Sequence, residues 1–306
     1  MKILLLGANG QVGWQLQRSL GVLGEVIALN RHSAPHSGNL GHPEALARTV
    51  QALRPDVLVN AAAYTAVDRA ESEREQAFAI NALACEVLAR VAHRIGAWMV
   101  HYSTDYVFPG GGERPWSEVD DTAPLNVYGH SKLAGEQAIA AHCPRHLIFR
   151  TSWVFDTWGQ NFLKSILRAA AQRDSLTVVS DQWGAPTRAA LIADVTAQAL
   201  MQLRGAVPAV EPRAGIYHLA AAGFTNWHAY AELAVRHAIE CGMPLRTAAE
   251  RVQPIPSSQY PVAAARPGNS RLDTSRLRQA FGLNLPPWQD GVRAVVAELA
   301  ALTPVQ

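Results

Sequence analysis

The tightest constraint in the sequence is a seven-residue run near its start. Gly7-Ala8-Asn9-Gly10-Gln11-Val12-Gly13 follows the apolar run Ile3–Leu6 and leads into a stretch with helical periodicity, Val12–Leu20. A strand, a glycine-rich turn and a helix in that order form an anion site. Glycines permit the tight turn, let backbone approach a pyrophosphate and let the helix pack on the strand, while the helix N-terminus aims N–H groups at the phosphates. A plain turn is the other reading of a glycine cluster, but its place between the first strand and the first helix favours a dinucleotide. The spacing is Gly-x-x-Gly-x-x-Gly rather than the commoner Gly-x-Gly-x-x-Gly. Gly7, Gly10, Gln11, Val12 and Gly13 are therefore the first candidates for cofactor contact.

The same alternation continues downstream. Val26–Leu29, Val57–Asn60, Trp98–Tyr102 and Leu147–Phe149 read as strands buried on both faces. Between them lie helical stretches at Pro43–Leu53, Asp68–Ile95 and Leu133–Ala141, with Pro55 and Gly96 marking two helix ends. Repeated βα units predict an α/β fold, a Rossmann-type doubly wound parallel sheet. Residues 1–150 are expected to form the dinucleotide-binding domain. After a helix at Phe162–Gln172, Leu176–Val179 could be one more strand of that sheet, so that about 169–189 returns to it. Beyond Pro186 prolines become dense, and 151–306 reads mainly as a smaller, irregular α/β substrate domain. Within it, Thr225-Asn226 could cap a helix from Trp227 to Cys241.

Composition narrows the partners. Lys+Arg number 27 against 25 Asp+Glu, a net charge of +2, so neither nucleic acid nor an anionic membrane surface is an expected partner. With 49% hydrophobic residues in 306, a substantial core is available. No apolar run is long enough to span a bilayer, and the basic-apolar opening Met1–Leu6 is too short for a signal peptide. A cytoplasmic protein is expected. Cys85, Cys143 and Cys241 are odd in number and far apart, neither a disulfide framework nor a zinc site. His32, His36 and His42 have no carboxylate or thiol cluster beside them, so no metal is expected there. The charge run from Asp68 to Arg74 reads as a solvated helix start.

Two further features point to chemistry. The second strand ends in Asn30-Arg31-His32-Ser33, without the carboxylate that would hold an adenosine ribose and repel a 2′-phosphate. Arg31, His32 and Ser33 can donate to phosphate oxygens, which favours NADPH and leaves NADH open; an ordinary exposed turn is the alternative. Farther on, Tyr128 and Lys132 stand four apart, on one face of a helix. A free phenol has a pKa of about 10. A nearby ammonium and a cationic nicotinamide are expected to lower it toward use as a proton donor. Tyr102 through Phe108 ends the fourth strand, where open α/β sheets place ligands. Ser103 or Thr104 can bond a substrate oxygen there.

These residues resemble the extended short-chain dehydrogenase/reductase family, and within it the branch that reduces 4-keto nucleotide sugars. The resemblance runs through Gly10-Gln11-Val12-Gly13-Trp14, Val59–Ala63, His101–Pro109, Pro124–Gly129, Arg150–Trp153, Gly184–Thr187 and Arg266–Leu272. It implies NADPH-dependent reduction of the C4 ketone of dTDP-4-dehydro-β-L-rhamnose to dTDP-β-L-rhamnose, the last step of dTDP-L-rhamnose synthesis. Tyr128 is then the proton donor, Lys132 its partner and Thr104 the group on the developing oxyanion. Ala62, Ala63, Tyr64 and Thr65 line the cofactor's path, and Asn39 and Leu40 flank its adenine. Thr104, Asp105, Tyr106 and Trp153 meet the sugar nucleotide, with Arg266 and Arg271 as candidates for its diphosphate; salt bridges are the alternative for both arginines, core packing for Trp153. Some members bridge a dimer through magnesium held by three glutamates; the matching positions are Gln15, Ala190 and Glu298. One carboxylate of three makes a poor cation site, so no magnesium and a monomer or weak homodimer are expected. A nucleotide-sugar epimerase or dehydratase, or a non-catalytic NADP-binding regulatory subunit, are the alternatives.

Overall fold

The computed structural model describes residues 1–204 and 211–302. Its centre is a six-stranded sheet of β1 (Lys2–Leu6), β2 (Glu25–Leu29), β3 (Val57–Asn60), β4 (Trp98–Thr104), β5 (His146–Thr151) and β6 (Gly215–His218), ordered β6-β5-β4-β3-β1-β2. Every neighbouring pair is parallel. Successive side chains on a strand point to opposite faces, and β1 shows the result. Ile3 and Leu5 enter one core with α1 (Gln11–Gly21) and helix α6 (Ala189–Leu203). Leu4 and Leu6 enter another, with α2 (Pro43–Leu53) and α3 (Ala84–Ile95). All four are fully buried, each worth about 1.5–3 kcal/mol by transfer. A strand buried on both faces cannot alternate apolar with polar, hence its unbroken run of apolar residues.

The expected single helix over Asp68–Ile95 is divided into short helical turns at Val67–Ala70 and Arg74–Phe78, a π-helical turn at Ala79–Leu83, and α3. Asn81 in the π turn donates to the Tyr64 carbonyl (3.0 Å) and accepts from the Tyr64 amide (2.8 Å), pinning the segment that follows β3. Helix α4 runs Val127–His142, six residues earlier than the apolar pattern places it, because Asn126 caps it by accepting from Gly129 N at 2.8 Å.

The placement of Leu176–Val179 in the central sheet is corrected. That segment pairs in parallel with Val252–Ile255 in a separate two-stranded sheet, and the sixth strand of the main sheet is β6, beside β5. Helix α5 (Phe162–Gln172) and helix α7 (Trp227–Glu240) flank the small sheet, the latter capped by Asn226. Helices α8 (Ser275–Phe281) and α9 (Trp288–Leu302) end the described chain. Among the described residues no helix is long and apolar enough to cross a membrane.

Candidate active site

The carboxyl ends of β1 to β5 open on one cleft of about 970 Å³. The strand order places β2 and β3 on either side of β1, and it is at such a reversal that open α/β sheets bind ligands. The loop Gly7–Val12 forms one wall. Gly10 starts α1 with no side chain capping it and no acidic residue in the first turn, so the helix offers its free N–H groups to the cleft. Gly7 has φ +86°, and a Cβ there would lie 2.6 Å from Ala62 N. Gly13 does not line the cleft; a Cβ on it would stand 2.0 Å from the Gly7 carbonyl oxygen, so its role is the close packing of helix on loop.

Most of the expected cofactor residues meet here. Ala62, Ala63, Tyr64 and Thr65 line the cleft from the end of β3, and Asn39 and Leu40 from the segment after β2. Arg31 and His32 line it too, both exposed. Ser33 does not line the wall itself; its hydroxyl accepts from the Asn30 amide at 2.9 Å and closes the turn. Asn30 in turn accepts from the His32 amide at 2.8 Å.

Tyr128 and Lys132 face the same cleft from the first turns of α4. Lys132 is 1% exposed; its Nζ donates to the Tyr102 carbonyl at 2.6 Å and lies 3.1 Å from His101 Nε2. Burial lowers the Lys132 pKa from its ordinary value. The expectation that Lys132 draws the Tyr128 phenol down is corrected. Tyr128 is pushed up to about 12, first by loss of bulk water around the phenol and then by the Asp105 carboxylate, with a Thr104 hydrogen bond pulling the other way. The ammonium is held by Tyr102 and His101 at the floor of the cleft instead.

The two hydroxyls at the end of β4 take different places. Thr104 is buried, donates to Asp105 Oδ1 (3.1 Å), accepts from Tyr106 N (3.2 Å) and stands close enough to the phenol to lower its pKa. Ser103 faces the cleft with its Oγ unpaired, as is that of Thr151 across on β5. Asp105 is 3% exposed with Oδ2 unpaired, and burial lifts its carboxyl to about 6. Tyr106 meets Tyr128 edge to face at 5.8 Å.

The remaining candidates divide. Arg266 is tied to Asp68 at 2.7 Å but keeps Nη1 buried and unpaired. Arg271 donates to Asn269 (2.9 Å) and lies over the Trp183 ring at 5.6 Å. Trp153 sits in the left-handed region at φ +48° and stacks on Trp227 at 3.6 Å. Gly184 lies beneath it, where a Cβ would come within 2.6 Å of the indole. Glu298 accepts from Arg188 at 2.7 Å through both oxygens, while Gln15 and Ala190 carry no charge.

Residues without a motif of their own complete the site. His101, Asn60 and Asn81 are buried and polar behind Lys132 and Tyr64, and Thr151 stands opposite Thr104 in the β4–β5 register. Alternating apolar and polar positions in β4 would have signalled His101, since a histidine in a doubly buried strand needs a partner.

The family described as RmlD substrate binding domain matches residues 1–301. A dTDP-4-dehydrorhamnose reductase of Shigella flexneri is 52% identical over 306 residues, covering 100% of both chains. Among solved structures, a dTDP-4-dehydrorhamnose reductase from Clostridium acetobutylicum has a TM-score of 0.87 and 31% identity over 98% of this chain and 99% of that one. Another, from Bacillus anthracis and in complex with NADP, gives 0.85 and 31% over 97% and 99%. Similar to these enzymes from end to end and matched by the family model over residues 1–301, the chain belongs to the dTDP-4-dehydrorhamnose reductase family.

Proposed function

We propose that this chain uses NADPH to reduce the C4 ketone of dTDP-4-dehydro-β-L-rhamnose, giving dTDP-β-L-rhamnose. The observation that carries the reading is the placement of Tyr128 and Lys132, one turn apart on α4, in the same cleft as the glycine loop. The cleft also fits a dinucleotide: the first turn of α1 is uncapped and carries no acid, and Gly7 and Gly13 leave no room for side chains between loop, helix and β3. When bound, NADPH supplies the hydride that C4 accepts. Tyr128 passes its proton to the oxygen that was the ketone, and the Thr104 hydroxyl holds that oxygen and the phenol together. Lys132 supplies a hydrogen-bond donor at the floor of the cleft, suited to a ribose hydroxyl. Arg266, with one amino group unpaired, is positioned to meet a substrate phosphate, while the Trp153 ring is taken up by its stack on Trp227. Arg188 already neutralises Glu298, so we assign no magnesium to that face.

The test follows absorbance at 340 nm with enzymatically prepared dTDP-4-keto sugar and identifies the product. Net NADPH consumption with formation of dTDP-L-rhamnose is expected. Turnover without net consumption would place the chain with the epimerases instead, and no turnover with a folded protein would make it a sensor. In the same assay Arg31→Ala is expected to lower kcat/KM for NADPH by about tenfold and leave NADH within about a factor of two, since one solvent-screened charged hydrogen bond is worth about 1.4 kcal/mol.

A pH profile tests the Asp105 assignment. Above about 6 its carboxylate is ionised and raises the phenol. Asp105→Asn removes that negative charge, so Tyr128 loses its proton at lower pH and the alkaline limb of kcat moves down. A limb that stays in place or moves up contradicts the coupling.

A further inference from the structure

Trp14 lies in the glycine-loop motif, yet nothing in the chemistry above uses it. It is 46% exposed, and on it stacks Trp158, 42% exposed, at 4.3 Å and an interplanar angle of 10°. Trp158 belongs to the segment 156–161, which links the short strand Val154–Phe155 to α5. Its indole N–H donates to the Asn9 carbonyl at 2.9 Å. Three residues on, Asn161 donates to the Gln11 side chain at 2.9 Å and to the Asp156 carbonyl at 2.7 Å. Between them Gly159 lies so close that a Cβ would stand 2.9 Å from Gln11 Cγ. Lys164 gathers the segment by donating to the carbonyls of Thr157 (2.9 Å) and Gly159 (2.8 Å).

Two features set this contact apart from ordinary packing. Gly159 and Gln160 line the dinucleotide cleft, beside the Gly10–Val12 wall. And among the described residues no backbone–backbone hydrogen bond joins 156–161 to the glycine loop, so the hold is made by side chains alone. A segment held that way can part from the loop without breaking a sheet or a helix. The two indoles cover one face of each other, so opening exposes aromatic surface to water.

We propose that Trp158 and Asn161 are positioning residues which hold the 156–161 segment over the phosphate end of the cleft, and that releasing this clasp is the step by which the dinucleotide leaves. The inference rests on the cofactor reading above. Loss of an aromatic stack and one hydrogen bond lowers the barrier to opening, by an amount that corresponds to an off-rate about tenfold faster.

The experiment uses the full chain and NADPH, with release followed by stopped-flow through direct excitation of the nicotinamide, so that removing a tryptophan does not change the signal. Trp158→Ala is expected to speed release about tenfold and raise KM for NADPH in proportion, while kcat and KM for the sugar nucleotide change by less than about a factor of two. Asn161 also caps α5 by accepting from Lys164 N at 3.0 Å, so Asn161→Ser, which keeps a capping oxygen and loses the bond to Gln11, is expected to shift the same way by a smaller factor. Trp158→Phe keeps an aromatic face and loses only the bond to Asn9, so it guards against a folding defect and is expected to fall between wild type and Trp158→Ala. Off-rates equal to wild type in the folded variants, or kcat and both KM values moving together, overturn the clasp. A wild-type protein that binds no NADPH sinks the cofactor reading itself, and the clasp with it.

Discussion

Tyr128→Phe is expected to lower kcat by roughly 10²–10⁴-fold, the usual range for a lost general acid, with KM for either substrate changed by no more than a few-fold. The substitution removes one oxygen and leaves the ring. That ring meets Tyr106 edge to face at 5.8 Å, a contact phenylalanine retains, so the local packing survives. What disappears is the proton next to Thr104. The structure strengthens this expectation, because burial and Asp105 keep the phenol protonated across the neutral range. Lys132 does not replace it, because its ammonium is held by Tyr102 and His101. A folded Tyr128→Phe protein that keeps most of its reductase rate would remove Tyr128 from the mechanism.

The second large effect belongs to Gly13→Val. A Cβ there meets the Gly7 carbonyl oxygen at 2.0 Å and the Gly7 carbonyl carbon at 2.8 Å, both backbone atoms with no rotamer to escape into. The helix must separate from the loop, and overpacking of this kind costs about 1–3 kcal/mol or more. The separated loop no longer aims its N–H groups at a phosphate, so the Kd for NADPH is expected to rise at least about 100-fold, read by calorimetry. Gly21→Ala is the control, since a Cβ at that end of α1 meets nothing within 4 Å. It is expected to bind NADPH as wild type does. Equal affinities for the two variants would separate the glycine loop from cofactor binding.

Much of the sheet could be read from the chain, and the reasons are particular. Ile3–Leu6 and Val57–Val59 are buried on both faces, so their apolar runs are continuous, and Trp98–Tyr102 is apolar but for His101. Leu176–Val179 has the same local character but pairs with Val252–Ile255, more than seventy residues away by number. Run length and polarity carry no information on which sheet a strand joins. The edge strand β6 is four residues with a glycine, a tyrosine and a histidine, too mixed to stand out. In the site, the glycine loop and Tyr128/Lys132 were legible because their spacing is local. The direction of the Tyr128 shift was not, since it is set by burial and by Asp105 rather than by the lysine four residues on.

Lys132 carries one last consequence. Its ammonium is nearly sealed from water, and the atoms it meets are a carbonyl oxygen and an imidazole nitrogen, neither with a formal negative charge. Glu136, one turn along, is engaged with Arg150. A cation in such a place is a standing cost to the fold, which the proposed mechanism accounts for. Any screen that ranks variants of this chain by heat resistance alone therefore favours apolar residues at position 132. Its winners would be sturdy proteins that no longer work, so thermostability campaigns on this scaffold need turnover as a second filter.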